Sequence, residues 1–341
     1  MKQGRIEILC LLFILLSAPG YAQHKPQYSQ YQLNNYLINP AITGIERYAD
    51  IKTGYRSQWS SIKGSPETCY LSGHIPFYSR KYRYSSRMPR NQKNKFEISN
   101  ERLNNSNKIN YIRNRHGIGI ILSTDKTGSY RRYNTEISYA YHQKLFKKIF
   151  ASVGFSVGYL FEGIEISSID VIDNADLELI DEQYKHNFDI SSGLLVYGDK
   201  FYAGISVCQL LRKEPRFLNS GNVNETNKQF NYFAMGAYLF NITSEVVLIP
   251  SFGVKYLYST DYSYDAGMRC TFRSKYWAGA IYRKTNTYAF FVGMGILPCV
   301  ELTYSYDLGS NNLDYYSGGS SEIMIGVRLN SKLKNKCPKF W

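Results

Sequence analysis

The chain has 341 residues, with 41 Lys and Arg against 27 Asp and Glu for a formal net charge of +14. Its mean hydropathy of -0.35 is too polar for a bundle of membrane-spanning helices, and its six cysteines, widely spaced and without a CxxC pair, exclude a zinc ribbon and a disulfide framework. The 32 Tyr and 18 Phe stand against only 3 Trp and 10 Pro, a balance that suits aromatic girdles around a membrane barrel whose polar lumen keeps mean hydropathy low.

Residues 1–22 read as a secretory signal peptide. Lys2 and Arg5 precede an apolar run from Ile8 to Leu16, and Gly20-Tyr21-Ala22 offers small residues for cleavage after Ala22. A lipoprotein needs cysteine right after the cut; Gln23 stands there, and Cys10 lies inside the apolar run. No later segment approaches the roughly 20 apolar residues of a spanning helix, so a membrane home requires a closed barrel.

Residues 23–47 form a leading segment, periplasmic or lodged in a lumen. It carries Gln27-Tyr28-Ser29-Gln30-Tyr31, then Asn39-Pro40-Ala41 and Gly44. Pro40 fixes one backbone angle and biases Asn39 toward extended geometry, while Gly44 permits a sharp turn.

From 48 to 330 short segments alternate apolar with small or polar residues. In one, Ala151, Val153, Phe155, Val157 and Tyr159 oppose Ser152, Gly154, Ser156 and Gly158; in another, Ile323, Ile325, Val327 and Leu329 oppose Glu322, Gly326 and Arg328. Such strands have one face for an apolar medium and one for water. Fourteen are predicted, at 50–58, 67–77, 116–124, 131–144, 149–163, 186–197, 201–210, 228–240, 245–258, 262–272, 275–284, 287–297, 299–308 and 320–330. The expected fold is an all-β transmembrane antiparallel β-barrel. An exported β-sandwich has the same alternation and stays open as a second reading.

An even strand count puts both chain ends on one side. Turns after even-numbered strands are short and connections after odd ones include long stretches at 164–185, 211–227 and 309–319, so both termini are expected in the periplasm. One connection departs from this rule. Between strands two and three, a basic insertion at 78–115 sets eleven Arg and Lys residues, from Arg80 to Arg115, against only Glu97 and Glu101. It reads either as a solvated insertion or as an arm for an acidic partner such as peptidoglycan or a peptidoglycan-binding protein. The tail, 331–341, adds Lys332, Lys334, Lys336 and Lys339. Nucleic acid is the usual partner of a basic chain, but an exported barrel does not meet it.

Catalytic and metal-binding patterns are weak. His24, His74, His116, His142 and His186 are scattered outside any HExxH. A barrel hydrolase assembling Ser, His and Asn or Asp from separate strands would draw on His142, but a lone strand histidine is more often a lumen or rim residue. Asp170, Asp173, Asp176, Glu178, Asp181 and Glu182 share one loop without EF-hand spacing and read as a solvated acidic loop. No enzyme activity, cofactor or metal is expected. Cys69, Cys208, Cys270 and Cys299 are expected as unpaired small residues of the wall, and Cys337 alone invites pairing with another chain.

The first hairpin adds Tyr55-Arg56-Ser57-Gln58-Trp59 and Gly64-Ser65-Pro66-Glu67-Thr68. Together with the leading-segment motifs this combination closely resembles the PorP/SprF family of Bacteroidetes, outer-membrane proteins of the type IX secretion system. Asn187-Phe188, Tyr197, the run Phe201–Val207, Leu210-Leu211 and Cys337-Pro338-Lys339-Phe340 extend the resemblance over nearly all the mature chain; the insertion at 78–115 departs from it. The resemblance implies a non-enzymatic component that supports secretion or surface anchoring of adhesin-like cargo, serves gliding motility, and sits beside a periplasmic ring lipoprotein. A porin or hydrophobic-solute transport barrel is the competing class.

Two roles are open for Gln27, Tyr28, Ser29, Gln30, Asn39, Pro40, Ala41, Gly44, Tyr55, Arg56, Gln58, Trp59, Gly64, Pro66 and Thr68. In one, Gln27, Gln30 and Asn39 hydrogen-bond to the barrel wall and seat the leading segment, with Arg56 as a charged anchor. In the other, the motif specifies only a turn and the register of the first strand.

Overall fold

The structure, a computed structural model, describes residues 30, 32–77, 114–146, 148–165, 184–211, 230–257, 260–284, 286–309 and 318–329. The expected signal peptide, Gln27–Ser29, the insertion up to residue 113, the acidic loop, the tail and Cys337 lie outside them.

Small lumen-facing residues and apolar outward ones give strands that zip edge to edge into a cylinder. In chain order they are β1 (Ala49–Gln58), β2 (Glu67–Phe77), β3 (Asn114–Thr127), β4 (Tyr130–Lys144), β5 (Ile149–Ile164), β6 (Tyr184–Gly198), β7 (Phe201–Cys208) and β8 (Asn231–Tyr238, resumed at Phe240–Asn241). There follow β9 (Val246–Leu257), β10 (Thr260–Phe272), β11 (Tyr276–Arg283), β12 (Thr287–Leu297), β13 (Val300–Gly309) and β14 (Ser320–Leu329). Each pairs antiparallel with its sequence neighbours, and β14 closes on β1 from Ala49↔Leu329 to Gln58↔Ser320. The result is a closed fourteen-strand antiparallel barrel.

The two faces differ as the alternation requires. Along β5, Phe155 and Val157 are 55% and 58% exposed, whereas Ser152, Ser156 and Leu160 are buried. No helix among the described residues is long and apolar enough to cross a membrane; the strands do so.

Strand ends differ from expectation by at most three residues, most in β3 and β8, and the longest strands are β3–β6. These run 14 to 16 residues, more than the roughly 9–11 a tilted spanning strand needs, so one side of the wall rises beyond the rest. Arg115, grouped by charge with the basic insertion, belongs to the wall instead: β3 starts at Asn114 and turns the Arg115 side chain into the lumen. There its guanidinium donates to the Tyr197 hydroxyl at 2.6 Å.

The core sits inside the cylinder. Residues 30 and 32–48 fold into it around two single 3-10 turns, Asn35–Leu37 and Pro40–Ile42. Tyr36, Leu37, Ile38, Ala41, Ile42 and Ile45 pack against lumen-facing Tyr70, Ile121, Leu195, Tyr197, Tyr202 and Met235. Burying aliphatic side chains of this size is worth about 1.5–3 kcal/mol each.

Candidate functional site: the lumen plug

The leading segment is held along its whole described length by side chains of separate strands. Gln30 Nε2 donates to Ser305 Oγ at 3.1 Å on β13 and to the Glu322 carbonyl at 2.9 Å on β14. Lys52 Nζ reaches the Leu33 carbonyl at 2.9 Å. Asn34 bonds Ser72 on β2 at 2.8 Å, Asn35 bonds Tyr202 on β7 at 3.0 Å, and the Tyr36 hydroxyl meets Ser138 on β4 at 2.6 Å.

Asn39 works at both ends of its amide. Oδ1 accepts from Ala41 N at 2.9 Å and so caps the Pro40–Ile42 turn. Nδ2 faces the carbonyls of Leu194 and Ile205 at 3.3 Å, which lie opposite each other on β6 and β7. Gly193 makes room, since a Cβ there would stand 2.1 Å from Asn39 Oδ1.

Backbone carbonyls of the plug are satisfied by the wall. Ser206 Oγ donates to Ile38 O and Ser152 Oγ to Ala41 O, each at 2.6 Å, and Thr43 O faces His142 Nε2 at 2.8 Å. A carbonyl only accepts, so His142 donates through Nε2 and its Nδ1 takes the proton of Tyr197 at 3.0 Å. His142 is fully buried in this chain of bonds; one ring nitrogen holds the plug and the other a hydroxyl of the wall.

A charged cluster missed by the sequence reading closes the end of the segment. Gly44 N donates to His74 Nδ1 at 3.2 Å, Glu46 Oε2 lies 3.4 Å from that nitrogen, and Asp50 Oδ2 lies 3.9 Å from Nε2. Glu46, Asp50 and His74 place ligand-type atoms within 4.8 Å of one another, but Lys52, 3.1 Å from Asp50, already supplies the cation and Gly44 occupies Nδ1. Burial, with Asp50 nearby, pushes the Glu46 carboxyl up to about 8, so it holds its proton at neutral pH.

Arg56 anchors the opposite end. Its Nη2 meets Asp307 at 2.8 Å and its Nη1 lies 3.5 Å from Glu322, while Arg283 shares Asp307 at 3.1 Å. Tyr70 completes the group by donating to Glu322 Oε1 at 3.1 Å.

The motif residues therefore fall into three places. Gln30, Asn39, Pro40, Ala41, Gly44, Arg56 and Thr68 are buried in the lumen, whereas Tyr55 is exposed on the outer face. Gln58, Trp59, Gly64 and Pro66 build the β1–β2 connection: Gln58 N donates to Pro66 O, Ile62 N to Trp59 O, and Gly128 N to Gly64 O.

The chain matches the family described as type IX secretion system membrane protein PorP/SprF over residues 20–327. It belongs to the PorP/SprF family. This PorP/SprF protein is an outer-membrane barrel and a membrane component of type IX secretion. No curated protein matches the chain.

Solved structures similar to it include a Pseudomonas aeruginosa FadL homologue, at 8% identity over 92% of this chain and 96% of that one with a TM-score of 0.46. Omp33 of Acinetobacter baumannii gives 9%, 84%, 100% and 0.42 for the same four quantities. For the CymD monoaromatic hydrocarbon channel they are 10%, 91%, 93% and 0.44.

Proposed function

We propose that this barrel is a non-enzymatic anchor of the type IX machinery, holding secreted, adhesin-like cargo at the cell surface and coupling to a ring lipoprotein in the periplasm. The observation that carries this reading is the occupied lumen: the chain's own residues 30–48 hydrogen-bond to β2, β4, β5, β6, β7, β13 and β14. A lumen filled by the chain's own segment, with the wall braced from within on so many strands, suits anchoring better than solute passage.

In this reading the end with short turns faces the periplasm, where the basic insertion and tail meet acidic envelope partners, peptidoglycan among them. The opposite end carries the tall β3–β6 wall and meets cargo.

Mild cross-linking in the native envelope, followed by purification and mass spectrometry, tests the reading. A ring lipoprotein and a secreted protein are expected with the full-length chain, and a version lacking 80–113 is expected to lose the periplasmic partner only. Cells without the chain are expected to shed surface-attached proteins into the medium. An unchanged set of surface proteins in those cells overturns the reading.

A further inference from the structure

Among the described residues, one stretch of the wall has an open strand edge. β5 pairs with β6 from Ile149↔Gly198 to Gly163↔Tyr184, but β7 covers β6 only from Ser192 to Tyr197. Beyond that, the Ile190 carbonyl accepts from Leu210 N at 3.0 Å, and the Ile190 N–H is capped by Asp189 Oδ1 at 2.8 Å.

These two bonds fix the parity: Ile190, and with it Phe188, His186 and Tyr184, turns both backbone groups toward the β7 side. At the last three, no described residue pairs with the N–H or C=O groups on that side. Hydrocarbon does not tolerate such an edge, so it stands at or above the outer rim of the membrane.

The outer face beside this edge is aromatic. Phe161 stacks on Tyr184 at 5.3 Å, Tyr159 meets Phe188 at 5.5 Å, and Phe188 is 66% exposed. None of the three edge positions carries the Lys or Pro that blunts exposed edges.

We propose that the Tyr184–Phe188 edge of β6 is a strand-addition site that takes an extended segment of a secreted protein in antiparallel or parallel pairing, with apolar side chains on alternate residues lying along Tyr184, His186 and Phe188. Pairing supplies the backbone bonds, and the aromatic row selects the side chains. The identity of the occupant as a secreted protein rests on the anchoring role proposed above. The chain's own connection is a poor occupant, because the residues that follow Leu211 in the β7 direction, Arg212-Lys213-Glu214-Pro215-Arg216, carry a proline and no apolar alternation.

The test places a photoreactive phenylalanine analogue at position 188 in cells making the full chain and sequences the cross-linked peptides. Expected is a strand-like segment of a protein whose surface attachment requires this barrel, with the cross-link lost in His186→Pro and kept in His186→Ala. Proline at 186 removes a donor on the open side only, and heat-modifiable gel mobility checks that the barrel still closes.

If His186→Pro does not fold, Tyr184→Lys with Phe188→Lys takes its place, with the same loss expected. Cross-links confined to residues 212–229 of the same chain, to lipid alone, or insensitive to these variants overturn the proposal. If surface proteins detach in cells lacking the chain but stay attached in the folded edge variants, the edge proposal fails and the anchoring role stands.

Discussion

Gly44 and Gly117 touch backbone to backbone where the plug passes β3. A Cβ on Gly44 would stand 2.5 Å from Gly117 Cα, and one on Gly117 would stand 2.1 Å from the Thr43 carbonyl oxygen. Gly44 also holds φ +71°, a left-handed geometry that favours glycine. Gly44→Ala and Gly117→Ala are each expected to cost about 1–3 kcal/mol and to unseat the plug. Limited proteolysis of the folded barrel reads this as new cleavage within residues 30–48, whereas Gly128→Ala, at a similar left-handed φ of +56° but with open space around its Cβ and away from the plug, leaves that segment protected.

Asn39 joins a cap to a wall contact, so the two can be separated. Asn39→Ala loses both and is expected to cost about 1–3 kcal/mol. Asn39→Asp keeps the capping oxygen but replaces the Nδ2 donor facing Leu194 O and Ile205 O with an acceptor. The variant is expected to be at least as unstable as alanine at neutral pH and to recover as the carboxyl protonates in acid. Thermal unfolding at pH 4 and pH 7 distinguishes them.

Much of the barrel was legible because outward and inward residues alternate with period two, and period two survives small errors at strand ends. The chain's Gln30, Asn39 and Arg56 stood out by type and spacing. Their partners did not: Ser152 read only as a residue of a polar strand face, and nothing local tells that it, Ser138 or Ser206 meets a segment about a hundred or more positions earlier. The Glu46–His74–Asp50 cluster was hidden for the same reason. Arg115 was misplaced because a basic side chain beside a basic stretch carries no local sign that a strand has begun, and the open edge of β6 exists only once β7 is seen to stop short.

Glu46 gives the plug a pH dependence with a definite sign. Its carboxyl is raised from 4.5 to about 8 in the folded chain, so the folded state binds the proton more tightly than the unfolded one. That contribution is complete below about pH 4.5 and is lost progressively as the pH rises toward 8. Thermal midpoints between pH 4 and pH 9 are expected to fall more steeply for the native chain than for Glu46→Gln. Parallel slopes would show that Glu46 carries none of this dependence.

Arg56 stands between two carboxylates, with side chains of all three nearly fully buried. Arg56→Ala removes the cation that lies 2.8 Å from Asp307 and 3.5 Å from Glu322 and is expected to cost about 3–5 kcal/mol. Arg56→Lys restores the charge but cannot meet Asp307 and Glu322 with two separate donors of one planar group, so its stability should fall between the two. A double change, Arg56→Met with Glu322→Gln, removes the pair together and is expected to lose less than Arg56→Ala. Denaturant unfolding in detergent orders the three.

A plug built from the chain's own residues makes a sharp electrical prediction. In planar bilayers the intact protein is expected to show no large steady current, because Tyr36, Ile42 and Ile45 fill the lumen in contact with the wall. Deleting residues 30–45 while keeping residues 1–29 and β1 removes that filling. Closure does not depend on it, since β1 pairs with β2 and β14 through its own backbone. The shortened chain is therefore expected to fold with heat-modifiable mobility and to conduct. Replacing the deleted stretch with a Gly/Ser linker of equal length separates filling from mere length: the linker lacks the apolar anchors and the Asn39 bonds, so it too should conduct. A large steady current through the intact protein would instead place the working path inside the barrel and favour solute passage over anchoring.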